Sequence, residues 1–146
     1  IEANKVDDFR RAFCQRVGEL VDVRQVVPEV LIDAEAPFSQ LTTRVVRQIE
    51  MLAPFGAGNP RPTLCATDVQ LDGVPKKMGG GDRHLSLRLT HQRTTLRAVA
   101  FGKGEWAEEL EQIDRLDIAF RPVINDFRGF TKVEIQLVDW RPAQVK

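Results

Sequence analysis

The sequence is sparing with the residues that announce chemistry. Its 146 residues include two cysteines and two histidines. Cys14 and Cys65 lie too far apart to read as a disulfide framework, and they read instead as reduced, partly buried thiols of a cytoplasmic protein. Joining them with His84 and His91 gives spacings unlike any zinc finger or ribbon, and no second histidine or acid pairs with His84 as a base or ligand. Charge of neither sign is in surplus, with 21 Lys and Arg against 21 Asp and Glu, so any nucleic-acid role has to rest on how charge is distributed. No apolar run approaches the ~20 residues of a membrane span, and the N-terminus lacks a signal-peptide layout, so no membrane partner is expected. No GK[ST] follows the glycines at 79–81, which excludes a phosphate-cradling P-loop. The chain starts at Ile1, not Met, which raises the expectation of a fragment of a longer protein.

What is present is enough for a core, at 42% hydrophobic and 29% charged residues. Over 5–22, Val6, Phe9, Phe13, Val17 and Leu20 recur at helical spacing, with Asn4 as the expected N-cap and acids in the first turn. Residues 29–38 read as a short strand ended by Pro37. A second helix is expected over 41–53, with Val45, Val46, Ile49 and Leu52 on one stripe. Then comes "PFGAGNPRP". Gly56 and Gly58 permit positive φ, while Pro60 and Pro62 fix φ and hold Asn59 and Arg61 extended. Pro54, Phe55, Gly56, Gly58, Asn59 and Pro60 therefore read as a rigid elbow over 54–62.

Beyond the elbow the period changes from 3.6 to 2. Strands are expected over 63–71, 84–91, 95–101, 116–125 and 132–140, with a helix over 104–113 between the third and fourth. In 84–91, Leu85, Leu87 and Leu89 face one way and His84, Ser86, Arg88 and Thr90 the other. Val133, Ile135 and Leu137 are expected inside. The order β-β-β-α-β-β is that of the oligonucleotide/oligosaccharide-binding (OB) barrel, and five short strands bury enough only when curled. The fold class expected is α+β, mainly β: a five-stranded OB-like barrel preceded by a small helical and strand segment. A five-stranded sheet packed on one helix is the alternative.

OB folds take ligands on the strand 2–3 face and in the 1–2 and 4–5 loops. Here the 1–2 loop carries Lys76, Lys77 and Arg83, and strands 2 and 3 offer Arg88, Arg93 and Arg97. The 4–5 loop carries Phe127, Arg128, Phe130 and Lys132. From 61 to 103 there are eight bases against three acids, while the 104–113 helix is acidic, so neutrality hides a basic half. Cations for phosphates beside aromatics for bases are what sequence-tolerant single-strand binding needs. Each feature has a plainer reading: arginines on a solvated strand face, phenylalanines folded onto the barrel end, glycines in a flexible turn.

"PFGAGNPRP" before a strand, then "HLSLRL", "LRAVAFG", "DIAFRPVINDFRG" and "VEIQLVDW", resembles the C-terminal region of RecJ-type single-stranded-DNA-specific exonucleases over residues ~5–140. The resemblance implies a DHH phosphoesterase core, a DHH-associated domain with a GGH motif, and an OB domain, with two-metal hydrolysis from a 5′ end. It also implies Mn²⁺ or Mg²⁺ for the parent enzyme, and a place in DNA repair and recombination. This sequence contains neither "DHH" nor "GGH", so no catalytic residue, metal ligand or cofactor is expected in it. Residues 1–53 are expected to be the tail of the DHH-associated domain, 54–62 the connector, and 63–146 the OB domain. The partners implied are single-stranded DNA, the catalytic DHH domain of the same protein, and other repair proteins. The rival reading is an OB module for protein contact, docking a partner or its own catalytic half.

Overall fold

The computed structural model describes residues 2–22 and 28–144. The first helix, α1, spans Val6–Leu20, and Asp7 and Asp8 lie in its first turn, where the helix dipole favours negative charge. Lys5 stands at the N-cap without a side-chain bond, because a 3₁₀ turn over Ala3–Lys5 absorbs Asn4, the expected cap. Ion pairs three residues apart, Arg10–Asp7 at 2.8 Å and Arg16–Glu19 at 3.0 Å, line its polar side. The apolar stripe has no cover among the described residues: Phe9 and Phe13 stack on each other at 5.8 Å and stay more than half exposed.

The strand expected over 29–38 contracts to β1, Ala34–Glu35, which runs parallel to the next strand through Ala34↔Leu64 and Glu35↔Cys65. Pro37 has no N–H to continue the ladder, and a 3₁₀ turn over Phe38–Gln40 follows. The second helix, α2, is Thr43–Glu50, shorter than expected. Thr42 starts it by accepting the Val45 N–H at 3.2 Å. Val46 is buried and Ile49 partly so, but Leu52 lies past the helix end and is exposed.

In the connector the chain makes a cis Ala53–Pro54 peptide bond. Gly56 and Asn59 exchange both backbone hydrogen bonds, at 2.9 and 3.1 Å. The Asn59 side chain donates to the carbonyls of Leu52 (2.8 Å) and Pro54 (3.0 Å), and the Arg61 guanidinium lies 4.7 Å from the Phe55 ring centre. Neither Gly56 nor Gly58 uses the positive φ that glycine permits. Asn59, as donor to two carbonyls, is what stiffens the turn.

Then come β2 (Leu64–Leu71), β3 (Lys76–Met78), β4 (His84–His91), β5 (Thr94–Ala100), α3 (Trp106–Leu110), β6 (Arg115–Phe127) and β7 (Phe130–Pro142). The sheet order is β1-β2-β6-β7-β5-β4-β3, and β2 also pairs with β4 through Gln70↔Thr90 and Leu71↔Leu89. The five long strands thus pair in a ring, with β5 and β7 parallel and the other neighbours antiparallel, as in an OB fold. The strand β3 is an addition that three polar-leaning residues did not announce; it lies on the edge of β4.

Alternation decides the core. Leu85, Leu87 and Leu89 are all buried, as are Ile135 and Leu137, with Val133 packed at the margin. Leu110 and Ala107 insert from α3, which is shorter than the helix expected over 104–113. Phe38 meets Phe120 edge-on at 5.7 Å, and Leu41 joins the same cluster, so residues before the connector share the barrel's core. Cys65 is half-buried, and burial pushes its thiol pKa up, with the Glu35 and Asp117 carboxylates adding to the effect.

Candidate nucleic-acid interface

The pairing of β4 with β5 puts Arg88 directly opposite Arg97. Like charges so placed repel, and each arginine is matched by an acid. The Arg88 Nε donates to Asp72 at 3.1 Å, and the Arg97 Nη1 donates to Glu134 at 2.8 Å. Arg97 is further steadied by the Ser86 hydroxyl at 3.3 Å.

These residues line a groove of about 680 Å³ with Val74, Lys76, Leu96, Lys132 and Val133. Leu96 and Val133 are partly buried and give it an apolar floor. Arg97, Lys132 and Glu134 also line a second groove, of about 300 Å³, with Asn125, Phe127, Arg128 and Phe130. The two are therefore one surface. Its charged lining is five cations (Lys76, Arg88, Arg97, Arg128, Lys132) against two carboxylates (Asp72, Glu134).

The aromatic end of this surface is built by the β6–β7 hairpin. Phe127 and Phe130 form its closing pair, and Arg128 (φ 51°) and Gly129 (φ 79°) make the two-residue loop. Positive φ at both loop positions matches the right-handed strand twist, and glycine adopts it without strain. A directly opposed pair projects its side chains to one face, so the two rings stand side by side. They remain 63% and 69% exposed, with the Arg128 guanidinium 5.1 Å from the Phe127 ring centre. They do not fold back into the barrel.

Of the ten residues singled out in the sequence, seven line this surface. Of the other three, Lys77 and Arg83 are engaged elsewhere. Period-two alternation on β3 sends Lys77 to Glu108 of α3 at 3.2 Å, while its neighbour Lys76 lines the groove. Arg83 donates from Nε to the Gly80 carbonyl at 3.1 Å and holds the glycine turn. Arg93 sits in the β4–β5 turn and lines neither groove. The connector residues also lie outside both.

The loop between β3 and β4 is fixed from the far side. The Gly104 N–H donates to the Arg83 carbonyl at 3.0 Å, and a Cβ on Gly104 would fall 1.8 Å from the Asp82 oxygen. His84 accepts the Gly102 N–H at Nδ1, at 2.9 Å.

Sequence reasoning passed over Asp72, Asn125 and Glu134. Glu134 stands two residues from Lys132, so the same alternation that exposed the lysine would have found it. Among the described residues no three His, Cys, Asp or Glu side chains converge to hold a metal ion. The donor set of the described residues therefore does not fit a divalent ion.

Five strands in this pairing order, with a helix between the third and fourth and a cationic, aromatic-edged groove on one face, define an OB-fold domain. The family model described as the RecJ OB domain matches residues 32–139, and the chain belongs to that family. The single-stranded-DNA-specific exonuclease RecJ of Bacillus subtilis (strain 168) is 24% identical over 139 residues, covering 95% of this chain and 18% of its own length. RecJ of Thermus thermophilus is 31% identical over 121 residues, or 81% of this chain and 16% of its own. The chain thus spans less than a fifth of the length of these relatives. In structure it resembles Thermus thermophilus RecJ solved with Mn²⁺, at TM-score 0.64 and 24% identity over 99% of this chain and 20% of that one.

Proposed function

We propose that this chain is the noncatalytic, single-stranded-DNA-binding part of a RecJ-like 5′–3′ exonuclease. It would hold the strand for a metal-dependent DHH nuclease core that it does not itself contain. The observation that carries this reading is the continuity of the cation-lined groove with two exposed phenylalanine rings at the hairpin tip. Phosphates run along Lys76, Arg88 and Lys132, Arg97 between them being engaged by Glu134, and bases stack on Phe127 and Phe130.

The uncovered stripe of α1 supports a second contact of the same reading, with the catalytic half of the parent protein. In this view α1 belongs to the tail of the DHH-associated domain, and the connector sets how the groove is aimed at the distant active site. Other repair proteins would meet the parent in the course of DNA repair and recombination. Its setting is cytoplasmic, where Cys14 and Cys65 stay reduced.

A salt series of mixed-sequence oligonucleotide binding, read by fluorescence anisotropy, tests the proposal. Single strands release ~0.7 counterions per phosphate neutralised. Five cations, two of them already matched by carboxylates, set a log–log slope of about −2 to −3.5. Affinity that is flat with salt, or that favours duplex, would overturn it.

A further inference from the structure

A carboxylate at the centre of a groove for phosphates is electrostatically out of place. Glu134 is such a group. It lines both halves of the groove, and its side chain is only 13% exposed. Asn125 Nδ2 donates to its Oε1 at 2.9 Å, and Arg97 Nη1 donates to its Oε2 at 2.8 Å. The carboxylate is thereby fixed in place and orientation. Each oxygen has two acceptor positions, so one on each remains for a ligand.

Arg97 matches its charge, but a phosphodiester offers the open acceptor positions only further negatively charged acceptor oxygens and no donor. A base edge carries no such charge. The backbone is therefore steered to the flanking cations, Lys76 and Arg88 on one side and Arg128 on the other with Lys132 lining both, and a base crosses Glu134. A carboxylate accepts from an amino group such as cytosine N4. Thymine has no amino group, and its one ring N–H lies between two carbonyl oxygens that the carboxylate repels.

Resting on the single-strand reading above, we propose that Glu134, held by Asn125 and Arg97, is a base-selecting residue that favours cytosine over thymine at one position of the bound strand. The two bases are close in size, so the choice is made by hydrogen bonding and not by shape.

The test is anisotropy with oligo-dC and oligo-dT of equal length at pH 8 and fixed salt, using the chain as it stands and its Glu134→Gln variant, with melting measured on both. The unaltered chain should bind oligo-dC about threefold to tenfold more tightly, in line with single base-edge contacts. Glu134→Gln removes the charge and adds an amide donor that suits thymine, so oligo-dT binding should tighten and the ratio should shrink toward one. Equal binding of the two strands by the unaltered chain, a measurement that needs no variant, would overturn base selection and leave salt-dependent DNA binding standing. A ratio that survives Glu134→Gln in a folded variant would also overturn it. Binding of neither strand would overturn this inference together with the single-strand reading.

Discussion

Phe127 and Phe130 show how much a side chain's role depends on which way a hairpin turns. Buried, either ring would cost ~3–5 kcal/mol of folding stability on truncation to alanine. Left 63% and 69% exposed, they contribute little to the core. Phe127→Ala and Phe130→Ala should therefore each shift stability by no more than ~0.5 kcal/mol and weaken oligonucleotide binding by ~1–3 kcal/mol. Melting and anisotropy on the same two proteins check both halves. The sequence puts Phe127, Arg128, Phe130 and Lys132 in a loop, whereas Phe127, Phe130 and Lys132 belong to the paired strands and only Arg128 and Gly129 turn; the positive φ at Arg128 was not legible. Arginine has no marked preference for that conformation, and it is the neighbouring strands, paired from Leu116↔Pro142 to Phe127↔Phe130, that impose it.

At the scale of elements, the strand between the first two barrel strands and the glycine turn after it depend on a contact made far away in sequence. Gly104, just before α3, is packed against the Asp82 carbonyl so closely that a methyl group has no room. Gly104→Ala should cost ~1–3 kcal/mol by forcing the backbone apart, and it should loosen the loop that ends in Arg83. A lower urea midpoint with an unchanged slope is the expected result. An unchanged midpoint would mean that the two segments separate freely. Strands of seven residues and more were readable because eight alternating side chains, as in His84–His91, repeat their signal four times. The two residues of β1 and the three of β3 give no such repetition. Their pairing is decided by the neighbour that offers unpaired backbone groups, Leu64–Cys65 for one and Leu85 with its flanking residues for the other.

At the scale of the whole molecule, the sequence places a domain boundary at the elbow, yet Phe38 and Leu41 lie with Leu64 and Phe120 in one cluster. Removing residues 1–22 should leave melting nearly unchanged, because no residue of α1 is buried. Removing residues 1–62 takes away Phe38, Leu41 and Val46, and the loss of a buried phenylalanine alone is ~3–5 kcal/mol. Comparing the two truncations by thermal melting locates the edge of the stable unit. Equal melting of both would show that the segment before the elbow only decorates the barrel.

By itself the sequence determined the strand order, the buried faces of the long strands and the helix between the third and fourth barrel strands. All of these follow from local periodicity, which a chain carries whatever it later packs against. Most of the cationic and aromatic side of the groove followed as well, since an OB order fixes which loops share a face. Tertiary structure alone decided that Lys76 faces the groove while Lys77 turns to Glu108. It alone brought Glu134 and Asn125 under Arg97, and Phe38 onto Phe120. The reason is physical: these are pairings between segments from 9 to 82 residues apart, made when strands close into a ring, and no local pattern records which partner a side chain will meet there.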